Sequence, residues 1–281
     1  MSDSKQADLA YWSGTGGDNW AQQNDFTETM LAPVMAPLLA AAAAKPGERA
    51  ADVGCGCGAL AFSLAKAVGP QGRVLGIDVS RAMLDLARRL APPGAKVEFV
   101  EADATTHAFP RGGFDLLASR HGVMFFADPA RAFANLRSAL KPGGRMAFSC
   151  FRASKDNPWA MTPLEAAYQV VPRLPKPGPE DPSPFAFADP ARVERILGGA
   201  GFTEVTLAPH DLSFDIAGGG GLDHSVGFMM AVGPVSRTLE KGDAATRAKV
   251  EAALRAGLAP YVKGKSIPLP AAIWIVTARN P

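Results

Sequence analysis

Three glycines at alternate positions, Gly54-Cys55-Gly56-Cys57-Gly58, stand between the apolar run Arg49 to Val53 and the apolar stretch Ala59 to Val68. A strand that turns sharply into a helix needs residues that tolerate positive φ, and a backbone bare enough for a ligand to approach. Glycine supplies both. The placement predicts a strand, loop and helix, opening an α/β chain whose ligand crevice lies at the carboxyl ends of its strands. Gly54 to Ala59 also satisfies the Gly-x-Gly-x-x-Gly/Ala pattern of dinucleotide phosphate loops, so the glycines alone do not choose the ligand.

The hydrophobic pattern continues the alternation. A second strand, Arg73 to Ile77, ends in Asp78, and Ser80 caps a helix reaching Leu90 before Ala91-Pro92-Pro93-Gly94 stops it. A third strand, Lys96 to Val100, leads to Asp103, and a fourth, Phe114 to Ala118, leads to Ser119-Arg120-His121-Gly122. Asp128-Pro129 opens the next helix, and Pro142-Gly143-Gly144 turns the chain into a fifth strand, Arg145 to Phe151. Five such units predict a mostly parallel sheet covered by helices on both faces.

Elsewhere the rhythm changes. Leu31 to Ala44, broken by Pro33 and Pro37, reads as a buried helix beginning near those prolines. Residues 152–187, with Asn157-Pro158-Trp159 and a proline-rich stretch, read as an insertion. Asp189-Pro190 caps a helix, and a strand from Thr203 to Ala208 extends towards Ile216. Gly218 to Gly221 reads as a flexible joint before a second insertion of two or three helices, and Ala271 to Ala278 as a closing strand buried on both faces.

With 29 basic and 27 acidic residues and a net charge of +2, the chain has no general electrostatic reason to bind nucleic acid or anionic lipid. The amino-terminal residues lack the order of a secretory signal, and no run is long enough to span a bilayer. Three cysteines cannot form a fully paired disulfide framework, which predicts a cytoplasmic protein. Cys55-x-Cys57 has no partner cluster for tetrahedral zinc, so no metal is expected. The expected partner is a small molecule, without nucleic acid or stable membrane insertion, and a homodimer is compatible with this composition.

Three carboxylates narrow the ligand. Asp52, two residues before Gly54, would oppose a pyrophosphate but favour an ammonium. Asp78, at the end of the second strand, can accept both hydroxyls of a ribose. Asp103, at the end of the third, can accept the exocyclic amine of adenine.

At these residues the chain resembles the class I S-adenosylmethionine-dependent methyltransferases, over about residues 48–151, on the side of their quinone and small-molecule branch. Ala51 to Gly58 looks like their first motif, Gly76-Ile77-Asp78-Val79-Ser80 like the second-strand acid, and Glu101-Ala102-Asp103-Ala104 like the adenine motif. Phe114 to Ser119 and Leu140 to Arg145 resemble the fourth- and fifth-strand motifs. Cys57 departs from the small hydroxyl residue or glycine more usual there, and is small enough to fit.

The resemblance implies an α/β, Rossmann-like fold: a seven-stranded mostly parallel sheet with helices on both faces and the last strand antiparallel. It implies S-adenosylmethionine as cofactor, held by Asp52, Gly54, Cys55, Gly56, Gly58, Asp78, Val79, Ser80, Asp103 and Ala104. Val79 would lie beside the ribose and Ser119 would approach the methionine end through its backbone. Met83 would pack on the adenine, unless it is an ordinary core residue. Residues 11–20, with Tyr11, Trp12 and Trp20 among glycines, look like a lid over the cofactor or a tail pinned by its tryptophans.

The implied division is a lid and helix over 1–45 and a methyltransferase domain over 46–281, with cap insertions at about 152–187 and 218–265. Ser119-Arg120-His121-Gly122 lacks the Asn/Asp-Pro-Pro-aromatic motif of enzymes acting on base amines or protein amides. His121 is the candidate general base, with a hydrogen-bonded structural histidine as its alternative. Arg120 binds an acidic acceptor group or pairs with a carboxylate. Trp159, Tyr168, Phe185, Phe187, Phe228, Met229 and Met230 either roof an apolar acceptor pocket or fill the insertions' own core. The expected reaction is methylation of oxygen, carbon or nitrogen on a small apolar or aromatic acceptor. Its alternatives are an NAD-dependent oxidoreductase, against which Asp52 and Asp103 count, and a non-catalytic binding protein.

Overall fold

The parallel half of the sheet forms where the apolar runs lie. In the computed structural model, which describes residues 9–240 and 242–281, β1 (Arg49–Val53) pairs in parallel with β2 (Arg73–Asp78) and with β4 (Phe114–Arg120). Next to β2 lies β3 (Val97–Glu101), and next to β4 lies β5 (Leu140–Phe151). Helices α3 (Ala59–Val68), α4 (Arg81–Leu90) and α5 (Pro129–Ala139) make the crossovers. The order β3-β2-β1-β4-β5-β7-β6 reverses direction between β1 and β4, which opens the ligand crevice at their carboxyl ends.

The closing strand β7 (Pro268–Arg279) inserts between β5 and β6 (Thr203–Asp215), antiparallel to both. Its burial of Ala271, Ala272, Ile273, Ile275, Val276 and Ala278 explains the nearly continuous apolar sequence, because helices cover both faces. β5 begins at Leu140, earlier than expected. Leu140 pairs with Phe114, and the side chain of Asn280 donates to the carbonyls of Leu140 and Lys141, each at 3.0 Å.

The apolar segment before β1 is one helix, and it starts well before its prolines. Following α1 (Thr15–Gln22), α2 runs from Asn24 to Ala42 with Pro33 and Pro37 inside it. Phe26, Met30, Val34, Leu38 and Ala42 recur every fourth residue as a buried stripe, while Pro33 is exposed and Pro37 only half-buried. The missing N–H groups therefore interrupt the outer side, and burial of the stripe outweighs the lost hydrogen bonds. Arg145 closes the helix end by donating to the carbonyls of Ala42 (2.8 Å) and Ala43 (2.7 Å) while forking onto Glu48.

The first insertion packs on the sheet, and the second packs on the first. The first carries α6 (Pro158–Ala167), preceded by the fully buried Asn157. Asn157 donates to the Ala272 carbonyl (3.1 Å) and accepts from the Ala272 amide (2.9 Å) and from Trp159 Nε1 (3.0 Å). The Asn-Pro-Trp sequence is thus a clasp that hangs the insertion on β7 and orients its tryptophan. A helix α7 (Pro190–Gly199) then leads to β6.

The second insertion carries α8 (Gly221–Ala231), α9 (Gly233–Thr238) and α10 (Ala244–Leu258). A Cβ added at Gly257 of α10 would stand 2.8 Å from the Ala166 Cβ of α6, so the two helices meet closely there. The glycine joint is pinned by Asp215, whose carboxylate accepts from the amides of Ala217 (3.0 Å), Gly219 (3.0 Å) and Ile267 (2.7 Å). The glycines supply positive φ for this tight turn rather than flexibility. Among the described residues no helix is long and apolar enough to cross a membrane.

Candidate cofactor and acceptor site

The glycine loop takes the conformation its composition requires, with φ of 67° at Gly54, 52° at Gly56 and 92° at Gly58. The amides of Gly54 and Cys55 both donate to the Ile77 carbonyl, at 2.8 and 3.1 Å. A Cβ on Gly54 would lie 2.9 Å from the Gly122 Cα, and one on Gly122 would lie 2.7 Å from the Val53 carbonyl oxygen. The loop therefore rests on the chain leaving β4 at a place where neither residue can carry a side chain. Sequence reasoning did not single out Gly122; its position just after a strand was the available signal.

The expected carboxylates occupy three different environments. Asp78 Oδ2 accepts from the Gly56 amide (2.8 Å) and Oδ1 from the Ser80 amide (2.9 Å), strapping the loop to the start of α4. Burial raises its pKa, and the amides of Ser80, Gly56 and Val79 hold back the rise. A carboxylate has about four acceptor positions, so this use leaves room for two ribose hydroxyls. Asp103 Oδ1 accepts from the Thr105 amide (2.8 Å), and Asn135 fastens the same loop by donating to the Ala104 carbonyl (2.8 Å) and the His107 carbonyl (2.9 Å).

Asp52 is 1% exposed, and neither oxygen has a hydrogen-bond partner. Burial pushes its pKa up to about 7, against the lowering influence of Arg120 and with a further rise from Asp78. The Ala61 amide also lowers it without reaching hydrogen-bonding geometry. An unpartnered buried carboxylate is costly in a folded chain and fits a site for a cation.

Beyond it, the Ser119 hydroxyl donates to the Val53 carbonyl (2.6 Å) and accepts from the Gly122 amide (3.2 Å), stitching the ends of β1 and β4 together. The Arg120 side chain, 11% exposed, is ion-paired through Nη2 with Glu28 of α2, while its buried Nη1 has no partner. Glu28 escaped sequence reasoning because α2 was expected to start after it.

His121 sits at φ 60°, with its amide donating to the Ser149 hydroxyl (3.2 Å) and carbonyl (3.3 Å). The ring stacks on Phe151, with centroids 4.2 Å apart and planes 6° apart. Both ring nitrogens are buried without a partner. Burial, helped by the Arg120 charge, pushes the imidazole pKa down to about 3, so the ring is neutral throughout the physiological range. Phe151 in turn meets Trp159 (5.1 Å) and Phe185 (6.1 Å), and Trp159 meets Phe214 (5.4 Å), an aromatic wall running from His121 under the first insertion. Phe187, Phe228 and Met229 are buried core residues, Met230 packs against that core, and Tyr168 lies under the Arg173 guanidinium.

The loop thiols and the amino-terminal segment border the same crevice. Cys55 and Cys57 are buried thiols, Cys55 raised well above its ordinary pKa and Cys57 pushed up to about 12, chiefly by burial. Met83 is buried in α4, its sulfur 3.7 Å from where a Cβ on Gly56 would stand, and Val79 is half-buried beside Asp78. Residues 9–13 are helical and Gly17 is packed so closely that a Cβ would lie 2.2 Å from the Ser80 hydroxyl. Trp12 packs edge-on against Trp20 (5.7 Å) and Phe125 (5.0 Å), and its Nε1 is buried without a partner. The segment thus lies against both the first turn of α4 and the residues following β4. The surface hollows of about 460 and 410 Å³ lie away from the strand-end carboxylates, one beside Arg111 and Arg137, the other beside Gln23 and Leu90.

A switch-point crevice with a glycine loop, carboxylates at three consecutive strand ends and an antiparallel β7 defines a class I, Rossmann-like domain for a nucleoside cofactor. Residues 50–144, which contain the loop and all three carboxylates, match the family described as "Methyltransferase domain". Nocamycin O-methyltransferase of Saccharothrix syringae is 32% identical over 194 residues, 64% of this chain and 68% of that protein. The ubiquinone/menaquinone biosynthesis C-methyltransferase UbiE of Serratia proteamaculans is 30% identical over 189 residues, 62% of this chain and 71% of that protein. The structure of phosphoethanolamine N-methyltransferase 2 of Haemonchus contortus with S-adenosyl-L-methionine superposes with a TM-score of 0.58 over 98% of this chain and 60% of that chain, at 16% identity, a likeness of fold. The chain belongs to the family of S-adenosylmethionine-dependent methyltransferases. It spans only 32% to 50% of the length of three further curated relatives that it matches.

Proposed function

We propose that the protein transfers a methyl group from S-adenosylmethionine to a small apolar or aromatic acceptor. The observation that carries this reading is Asp52, a buried carboxylate without a partner beside a loop whose three glycines take positive φ. When bound, the cofactor supplies an activated methyl group on a sulfonium. Asp52 then holds the ammonium, Asp78 the ribose and Asp103 the adenine amine, with Met83 and Val79 packed on the nucleoside and the backbone of Ser119 near the methionine end.

Displacement at a sulfonium needs alignment and exclusion of water more than acid–base power. Trp12 and Trp20 supply the exclusion. Residues 9–22 lie against both the first turn of α4 and the chain leaving β4, so we read residues 1–45, of which 1–8 lie outside the described residues, as a lid with its helix. The aromatic wall from Phe151 to Phe214 favours a flat apolar acceptor. His121, neutral and without a partner, accepts a hydrogen bond from the acceptor's hydroxyl or amine. Its depressed pKa suits it to orienting that group and to receiving its proton only in passing. We place the protein in the cytoplasm, where its three buried thiols stay reduced, and read residues 152–187 and 218–265 as caps over the acceptor.

Calorimetric titration with S-adenosylmethionine, followed by transfer of labelled methyl to a panel of phenols, quinols and amphiphiles, tests the proposal. Failure to bind S-adenosylmethionine would refute it. Binding without turnover on any acceptor would favour a non-catalytic binding protein.

A further inference from the structure

At the end of the sheet opposite the crevice, Arg111 and Arg137 line one hollow of about 460 Å³. Arg111 stands on the turn before β4 and Arg137 in the last turn of α5. A single hydrogen bond brings them together: the Gly112 amide donates to the Ser138 carbonyl (3.0 Å), one residue beyond each arginine. Leu140, which opens β5, and Asn280 and Pro281, which follow β7, also line the hollow. The seven residues of β4 separate this edge from the strand-end carboxylates by roughly 20 Å.

Among the described residues neither guanidinium makes an ion pair or a hydrogen bond, and the Nε of Arg137 is buried without a partner. The acids on the neighbouring strands are already engaged. Asp115 is held by Lys141 (2.5 Å) and by the Arg49 amide (2.9 Å), and Glu204 by Arg279 (3.8 Å). An arginine in the last turn of a helix ordinarily donates to the terminal carbonyls, and Arg137 donates to none. Its guanidinium instead lies face-on to Gly201, where a Cβ would stand 3.0 Å from both Cζ and Nη1. One arm is thus fixed by packing, while Arg111 is exposed on its turn.

We propose that this hollow is a binding site for a small phosphate-bearing molecule, with Arg137 as the fixed fork and Arg111 as the second arm. Two guanidinium groups present paired N–H donors that match the oxygens of a phosphate. A phosphate group carries a charge of about −1.5 to −2 at pH 7, which balances two arginines where a carboxylate balances one. The volume lies within the range of about 300–1,000 Å³ usual for small organic ligands. Its distance from the crevice lets the phosphate ligand and the nucleoside cofactor bind together.

The test titrates phenyl phosphate and inorganic phosphate into the full chain by calorimetry at low salt, with and without saturating S-adenosylhomocysteine. Wild-type protein is expected to bind phenyl phosphate at one site, at least about tenfold more tightly than benzoate, which keeps the ring with a single charge. Arg111→Gln and Arg137→Gln are each expected to weaken that binding at least about fivefold. Arg131→Gln, which removes an equal charge from the exposed start of α5, is expected to change it less than about twofold.

Because Arg137 packs on Gly201, thermal melting checks that its variant is folded, and the exposed Arg111 gives an independent reading. Tighter binding of phenyl phosphate than of inorganic phosphate supports the site and assigns it to an organic phosphate, whereas equal affinity supports it with free phosphate as the ligand. Displacement by S-adenosylhomocysteine would put the ligand in the crevice and overturn the site. Equal losses in Arg131→Gln and Arg137→Gln, benzoate binding as tightly as phenyl phosphate, or no saturable binding would overturn it as well.

Discussion

The sharpest consequence of Asp52 is a pH dependence of cofactor affinity. In the unliganded protein its pKa is about 7, set by burial and modulated by Arg120, which lowers it, and by Asp78 and Glu28, which raise it. A bound ammonium favours the ionised form, so binding below pH 7 must first release the Asp52 proton. The α-amino group of a free amino acid stays protonated until well above pH 8, so only the acid limb of the profile falls in the working range. From the Asp52 pKa of about 7, affinity for S-adenosylhomocysteine is about tenfold weaker at pH 6 and about a hundredfold weaker at pH 5 than on the plateau above pH 8.

Asn in place of Asp52 removes the titrating group. The acid limb disappears, and affinity at pH 7.4 falls by about 2–4 kcal/mol, on the order of thirtyfold to a thousandfold. Stability moves the other way. The folded pKa lies above the unfolded value of 3.8, so the native state binds more protons between pH 4 and 7 and is progressively destabilised as pH rises through that window. At pH 8 the ionised carboxylate costs the unliganded fold on the order of 4 kcal/mol, and Asp52→Asn is expected to melt higher there. Titration calorimetry across pH 5–8.5 in buffers of different ionisation enthalpy reads both the affinity and the released proton. An affinity flat from pH 5 to 7, or an acid limb that persists in Asp52→Asn, would refute the assignment.

Gly122→Ala, with its Cβ forced to 2.7 Å from the Val53 carbonyl, is expected to cost roughly 1–3 kcal/mol and to weaken S-adenosylhomocysteine binding, measured by melting and calorimetry. Asn157→Ala strands the Ala272 amide and Trp159 Nε1 and is expected to cost about 2–4 kcal/mol by denaturant titration, with the insertion gaining amide exchange before the sheet does. Asp215, whose pKa is lowered because its amide hydrogen bonds outweigh burial, stabilises the joint above its unfolded pKa. Asp215→Asn is therefore expected to lower the melting temperature at pH 7 and to narrow the gap from wild type as pH falls towards 3.

The parallel half of the fold was legible element by element, with the start of β5 missed by five residues. β1 runs over Arg49–Val53 and α3 over Ala59–Val68, matching the expected spans, and Ser80, Asp128 and Asp189 cap the helices that their positions announced. Those signals are local: an apolar run, a side-chain oxygen one residue before a helix, a glycine where φ is positive. Where a local signal opposed packing, the reading failed. Pro33 and Pro37 argued for a helix starting near them, but the four-residue stripe from Phe26 to Ala42 carries the helix through both. Gly218 to Gly221 argued for a flexible joint, and Asp215 holds it.

What the sequence by itself determined is therefore the glycine loop, the three strand-end carboxylates around it, and the crevice that they line. Tertiary structure alone decided how each carboxylate behaves: Asp78 strapped to two amides, Asp103 to one, and Asp52 left without a partner. It also decided that Glu28, far away in the chain, holds Arg120 apart from Asp52. The physical reason is that burial and charge pairing are properties of surroundings assembled from distant segments, whereas φ, capping and hydrophobic period are properties of neighbours along the chain.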